Sequence, residues 1–75
     1  MEEGYILSNK FRRAIFDGFA SGENDLNIIV KKHRIIFTVG KRIAEDLIKG
    51  GVLEKKGNKY ILTKEGERLA KIIRG

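Results

Sequence analysis

The sequence predicts a mainly α-helical domain with one small β-hairpin near its carboxyl end. Three observations predict it. Apolar residues recur at helical spacing through four stretches of the chain. Lys55-Lys56-Gly57-Asn58-Lys59 lies between two apolar runs, Gly51-Val52-Leu53-Glu54 and Tyr60-Ile61-Leu62-Thr63, and its Gly57-Asn58 pair supplies the positive φ angles of a tight turn. Gly22, Gly50-Gly51 and Thr63 fall where helices would stop or start.

Residues 1–7 read as a lead-in arm, in which Tyr5, Ile6 and Leu7 are apolar enough to pack as a strand or extended segment. An opening helix over 8–21 starts at a Ser8 cap. Leu7, Phe11, Ala14, Ile15 and Phe19 share one of its faces, Phe16 and Ala20 widen that face, and Phe11, Phe16 and Phe19 are candidate core. A second helix over 24–33, capped by Asn24 or Asp25, turns Leu26, Ile29, Val30 and His33 inward. Arg34-Ile35-Ile36-Phe37 is the turn or the start of the next element, with Ile35 pointing in. A third helix over 37–49 has Val39, Ile43 and Leu47 as its core face and Ala44 and Ile48 at the margin. The hairpin takes 52–62. A last helix over 64–74 is capped by Thr63, with Glu65 and Glu67 early and Lys71 and Arg74 late, as the helix dipole favours. Its apolar face is Leu69, Ala70, Ile72 and Ile73. Helix, helix, helix, basic hairpin, helix is the layout of a winged helix-turn-helix domain.

Seventy-five residues make one domain. A domain of this size buries only about 60% of its unfolded surface, so stability rests on good packing or on a partner. The net charge of +6 and a pI of about 9.8 favour a polyanionic partner. With no cysteine there is neither a disulfide framework nor a thiolate metal site. No apolar run approaches the roughly 18 residues of a membrane span, and the opening Met1-Glu2-Glu3 is acidic rather than signal-like. The expectation is a soluble cytoplasmic protein without a membrane partner. Abundant Ile, Lys and Glu with no Gln, Pro or Cys is a thermophile-like bias.

Three stretches carry a family resemblance. Asn9-Lys10-Phe11-Arg12-Arg13-Ala14-Ile15-Phe16 with Ala20-Ser21-Gly22-Glu23 is similar to the opening helix of ArsR-like regulators. Val39 to Lys55 resembles their recognition helix running into the first wing strand. Tyr60-Ile61-Leu62-Thr63-Lys64-Glu65-Gly66 resembles the Tyr-x-Leu-Thr-x-x-Gly exit from the wing. The chain thus resembles the winged-helix domains of small MarR-, ArsR- and PadR-type transcription regulators, especially stand-alone archaeal forms. The resemblance implies a DNA-binding transcription regulator, with double-stranded DNA as partner and residues 38–49 in the major groove. This chain departs from the family at two points. Arg34 stands where the turn usually has a small residue, and Ile36 and Phe37 precede Thr38 where the recognition helix usually opens on Ser or Thr. Those two side chains point to extra core, a protein contact or contact with a thymine methyl group.

The exposed face of the third helix carries Thr38, Lys41, Arg42, Glu45 and Lys49. Arg binds guanine O6 and N7 bidentately, and Glu accepts from cytosine N4. The competing reading is a solvated face with Lys41–Glu45 and Glu45–Lys49 pairs at i,i+4. Lys55, Lys56 and Lys59 are phosphate candidates on the wing, as are Lys31, Lys32 and Arg34 at the helix-turn-helix corner. The Arg12 stem is expected to cover core edge while its head reaches a carboxylate.

His33 is the lone histidine, expected to be packed or capping, so no metal site and no cofactor are expected. Ser8, Ser21 and His33 have no acid placed to complete a triad, so neither an enzyme nor a small-molecule substrate is expected. A homodimer or a weakly associating monomer is expected, with the last helix as the interface, because one module offers too few base contacts. The alternative is a protein-interaction winged helix serving as an adaptor in a transcription or other nucleic-acid complex, favoured if Ile28, Ile36 and Phe37 are exposed. RNA binding through the wing is a third reading, weakened by the lack of stacking aromatics.

Overall fold

The structure is a computed structural model, and it describes residues 1–74. Its elements run α1 (Glu3–Leu7), α2 (Lys10–Ala20), α3 (Leu26–His33), α4 (Phe37–Lys49), β1 (Leu53–Lys56), β2 (Lys59–Leu62) and α5 (Lys64–Arg74). The two strands pair antiparallel in the register Leu53–Leu62, Glu54–Ile61, Lys55–Tyr60 and Lys56–Lys59. Helices α2 to α4, the hairpin and α5 reproduce the winged helix-turn-helix order predicted from the sequence.

The expectation of an extended arm at residues 1–7 is corrected. Residues 3–7 form one short helix, α1. Five residues are too few to hold a helix alone in water. Packing holds it: Ile6 is fully buried, and the Arg12 guanidinium lies 4.0 Å from the Tyr5 ring centroid. Arg12 also donates from Nη1 to the Tyr5 carbonyl oxygen at 3.2 Å. Its head therefore meets an aromatic face and a carbonyl, rather than the carboxylate expected. The cap moves as well. Asn9, not Ser8, caps α2, its Oδ1 accepting from the backbone N–H groups of Phe11 and Arg12 at 2.9 and 3.1 Å. Ser8 instead closes α1, its hydroxyl donating to the Tyr5 carbonyl.

The core gathers Ile6, Ile15, Phe16, Leu47, Val52 and Leu53, all essentially inaccessible, with Phe19, Leu26, Ile29, Val30, Ile35, Ile43, Ala44, Tyr60, Leu69 and Ala70 around them. Four residues assigned inward places by periodicity lie outside. Leu7, Phe11, His33 and Val39 are exposed. For α4 the cause is visible at Gly40, which is buried beside Val30 so closely that a Cβ there would run into the Val30 side chain. The helix rolls to bring its smallest residue to the α3 contact, and Val39 turns out. On α5, Leu69 and Ala70 are buried while Ile72 is exposed.

The α3–α4 turn is built on Arg34, which adopts the left-handed conformation (φ 55°, ψ 41°) and is the one non-glycine with positive φ among the described residues. The backbone N–H of Ile35 closes the turn by donating to the Val30 carbonyl at 2.9 Å. A side chain in this region strains the backbone where glycine would not.

The wing joins the body at Thr63. Its hydroxyl donates to the Gly51 carbonyl at 2.6 Å and accepts from the Gly66 N–H at 3.1 Å, so one side chain caps α5 and holds the entry to β1. The Thr63 N–H donates to the Val52 carbonyl at 3.1 Å. Gly66 passes so close to that same carbonyl oxygen that a Cβ would overlap it. The glycine of the wing-exit motif therefore has a steric reason.

Candidate nucleic-acid interface

Helix α4 begins without a polar cap. Ile36 is the cap residue, with extended backbone and no side-chain hydrogen bond to the first turn. The buried Gly40, Ile43, Ala44 and Leu47 fix one face of the helix against the core, which leaves Thr38, Lys41, Arg42, Glu45 and Lys49 exposed on the other. No ion pair joins Lys41 to Glu45 or Glu45 to Lys49 among the described residues, so these charges are not spent on one another.

The hairpin is oriented by links to the start of α3. The Tyr60 N–H donates to the Asn24 carbonyl at 3.0 Å, and the Tyr60 ring packs on Phe19 with centroids 5.3 Å apart. The Lys59 ammonium lies 3.6 Å from the Asp25 carboxylate, whose other oxygen caps α3 by accepting from the Asn27 N–H at 2.9 Å. The Lys55 ammonium sits 5.8 Å from the Tyr60 ring centroid on the inner face of the hairpin. Lys56 turns to the outer face, beside Glu54 at 3.5 Å and opposite Lys59 in the strand register.

These links leave a cleft between α4 and the wing. Phe37 and Lys41 line it from the helix, Lys55, Asn58 and Lys59 from the hairpin, and Asp25 from the start of α3. A second, adjoining groove runs between α4 and the start of α2, where Thr38, Val39 and Arg42 face Phe11 and Arg12. Lys41 borders both. The sequence-predicted site residues thus divide. Thr38, Lys41, Arg42, Glu45, Lys55 and Lys59 lie around two connected grooves. Lys49 lies farther along α4, with Glu45 and Ile48. Lys32 faces elsewhere, in a hollow with Arg13, Asp17, His33 and Arg74. Lys31 and Arg34 are exposed at the end of α3 and line none of these grooves.

Sequence reasoning assigned no surface role to Phe11, Arg12 and Asp25. Asp25 was legible only as a cap; nothing in the sequence pairs it with Lys59. Among the described residues no group of three or more His, Asp or Glu side chains is placed to hold a metal ion. No described helix is long and apolar enough to cross a membrane.

The architecture is that of known DNA-binding folds. The chain superposes on a solution structure from Mycobacterium bovis, the homodimeric winged helix-turn-helix DNA-binding domain of a possible ArsR-family transcriptional regulator. The TM-score is 0.75 and the identity 25%, over 96% of this chain and 71% of that one. No protein-family model and no curated protein sequence matches the chain.

Proposed function

We propose that this chain is a transcription regulator that binds double-stranded DNA, laying α4 in the major groove and its basic wing on the phosphate backbone. The observation that carries the reading is the shared cleft, which Lys41 of α4 and Lys55 and Lys59 of the wing line together with Phe37. A groove wall of cations beside a helix face free of internal ion pairs fits a helix seated among phosphates. The likeness to a homodimeric DNA-binding domain supports the same reading. In this reading Arg42, Thr38 and Glu45 meet base edges, while Lys41, Lys55 and Lys56 meet phosphate. Lys59 divides its charge between phosphate and Asp25. Lys49, Lys31, Lys32 and Arg34 supply outer phosphate contacts at most. The protein acts in the cytoplasm as a homodimer through α5, without catalysis.

A salt titration on duplex DNA tests this. Arg42→Ala costs about 1–3 kcal/mol on the preferred site and much less on random DNA. Lys55→Ala weakens binding to all duplexes alike and lowers the salt slope by about 0.9. Absence of duplex binding at low salt defeats the reading. It would favour the adaptor role, which the exposure of Ile28 (51%) and Ile36 (71%) supports.

A further inference from the structure

The opening of α4 gives up two sources of stability at once. A Ser, Thr, Asp or Asn at the cap position contributes about 1 kcal/mol, yet Ile36 stands there and caps nothing. An isoleucine is worth having where it is buried, yet Ile36 is 71% exposed, the highest value among the large apolar side chains of the described residues. Phe37 beside it is 44% exposed. Of the three roles the sequence left open for this pair, extra core is therefore excluded for Ile36.

The surroundings choose between the other two. Phe37 lines the α4–wing cleft with Lys41, Lys55, Lys59 and Asp25, so beside the apolar edge three cations stand against one carboxylate. An apolar protein surface docking there would leave the Lys41 and Lys55 ammonium groups without counter-charge, because the one carboxylate of the cleft, Asp25, is paired with Lys59. The major groove of duplex DNA offers phosphates on both flanks and, on its floor, one apolar group, the thymine C5-methyl. Charge and apolar character then match together.

Resting on the DNA-binding reading above, the geometry points to Ile36 and Phe37 as specificity residues that read thymine methyl groups in the major groove. The chain's preference is then for sites with thymine under the start of α4. Its discrimination comes partly from apolar contact and not only from the Arg42 hydrogen bonds.

Uracil differs from thymine only by that methyl group, and 5-methylcytosine carries a methyl at the same C5 position. The test compares binding to alternating dA-dT and dA-dU duplexes of equal length, and to alternating dG-dC with and without 5-methylcytosine. One buried methyl is worth about 0.8 kcal/mol, so each lost contact weakens binding about fourfold and two weaken it about fifteenfold. The wild type is expected to prefer dA-dT over dA-dU by that margin, with an unchanged salt slope, and to prefer the methylated dG-dC duplex. Ile36→Ala with Phe37→Ala should bring both ratios near one. Ile36→Ala alone, at the more exposed position, should narrow them even if the Phe37 change loosens the fold. Lys55→Ala should lower all affinities and keep the ratios. Tight duplex binding with a thymine-to-uracil ratio of one overturns the inference and leaves the DNA-binding reading standing. A ratio that survives in the double variant also overturns it, because the methyl is then read elsewhere. Failure of the wild type to bind any of the four duplexes at low salt removes the DNA-binding reading itself.

Discussion

Gly66→Ala sets helix propensity against packing. Gly66 lies in the first turn of α5, where alanine is worth at most about 1 kcal/mol more than glycine. On propensity alone the variant gains stability. The structure reverses the sign. The new Cβ would overlap the Val52 carbonyl oxygen and lie 3.0 Å from its carbon, and the neighbour is backbone, which has no rotamer to give. Relief requires α5 to separate from the entry to β1. Overpacking of this kind costs about 1–3 kcal/mol. The separation also stretches the Thr63 N–H bond to the same carbonyl, worth about 1 kcal/mol. After the propensity gain the net loss is about 1–3 kcal/mol. At roughly 4–8 °C per kcal/mol for a domain of this size, the melting temperature falls by about 5–20 °C. Gly4→Ala is the matched control, because a Cβ there meets nothing within 4 Å. It should leave stability unchanged or raise it by up to about 1 kcal/mol. Thermal melts followed by circular dichroism read both. A Gly66→Ala protein that melts at or above the parent refutes the argument that a backbone contact, rather than local preference, requires this glycine.

Arg34→Gly should act in the opposite direction. Left-handed backbone costs an L-residue about 1–2 kcal/mol, and the added freedom of the unfolded glycine chain returns part of it. A net gain of about 0.5–1 kcal/mol, or about 2–8 °C in melting temperature, is expected, and Arg34→Ala should give none of it. An unchanged melting temperature for the glycine variant would mean that the turn is not strained. On α5, Ile72 is 54% exposed, in a hollow it shares with Met1 and Gly4 of the amino-terminal segment. Ile72→Glu should leave the fold intact and shift sedimentation at high micromolar concentration toward monomer. Persistence of a dimer places the interface elsewhere, and unfolding would make that face core.

What the sequence disclosed follows a physical division. Several local signals survived, although the cap of α2 fell one residue later than Ser8, on Asn9. Thr63 caps α5, and Gly57, with φ 61°, turns the hairpin by its own backbone freedom, while Asn58 does not take the positive φ expected of the pair. Signals that need a partner did not survive. The five residues of α1 lack the length to register as a helix, and they hold only because Ile6 and Tyr5 find α2. Val39 reads as core by spacing, but a hydrophobicity pattern gives no weight to glycine. Close approach of α3 to Gly40 set the roll of α4 instead. His33 was placed inward by the same arithmetic, and the Arg34 turn ends α3 with that side chain exposed.

The candidate interface divides in the same way. Composition alone marks Lys41, Arg42, Lys55, Lys56 and Lys59 as basic, and no partner is needed to see it. Composition cannot tell which of them remain available. Lys59 is held to Asp25 and Lys56 stands beside Glu54, while Lys41 and Arg42 have no carboxylate within ion-pair distance among the described residues. Exposed pairs of this sort are worth about 0–1 kcal/mol, less than the drive to neutralise a phosphate, so they orient the wing without forbidding a polyanion. The Lys59–Asp25 pair also ties the hairpin tip to the cap of α3, the first helix of the helix-turn-helix. The wing and α4 therefore both lean on α3, the wing through Asp25 at its cap and α4 through Gly40 against Val30.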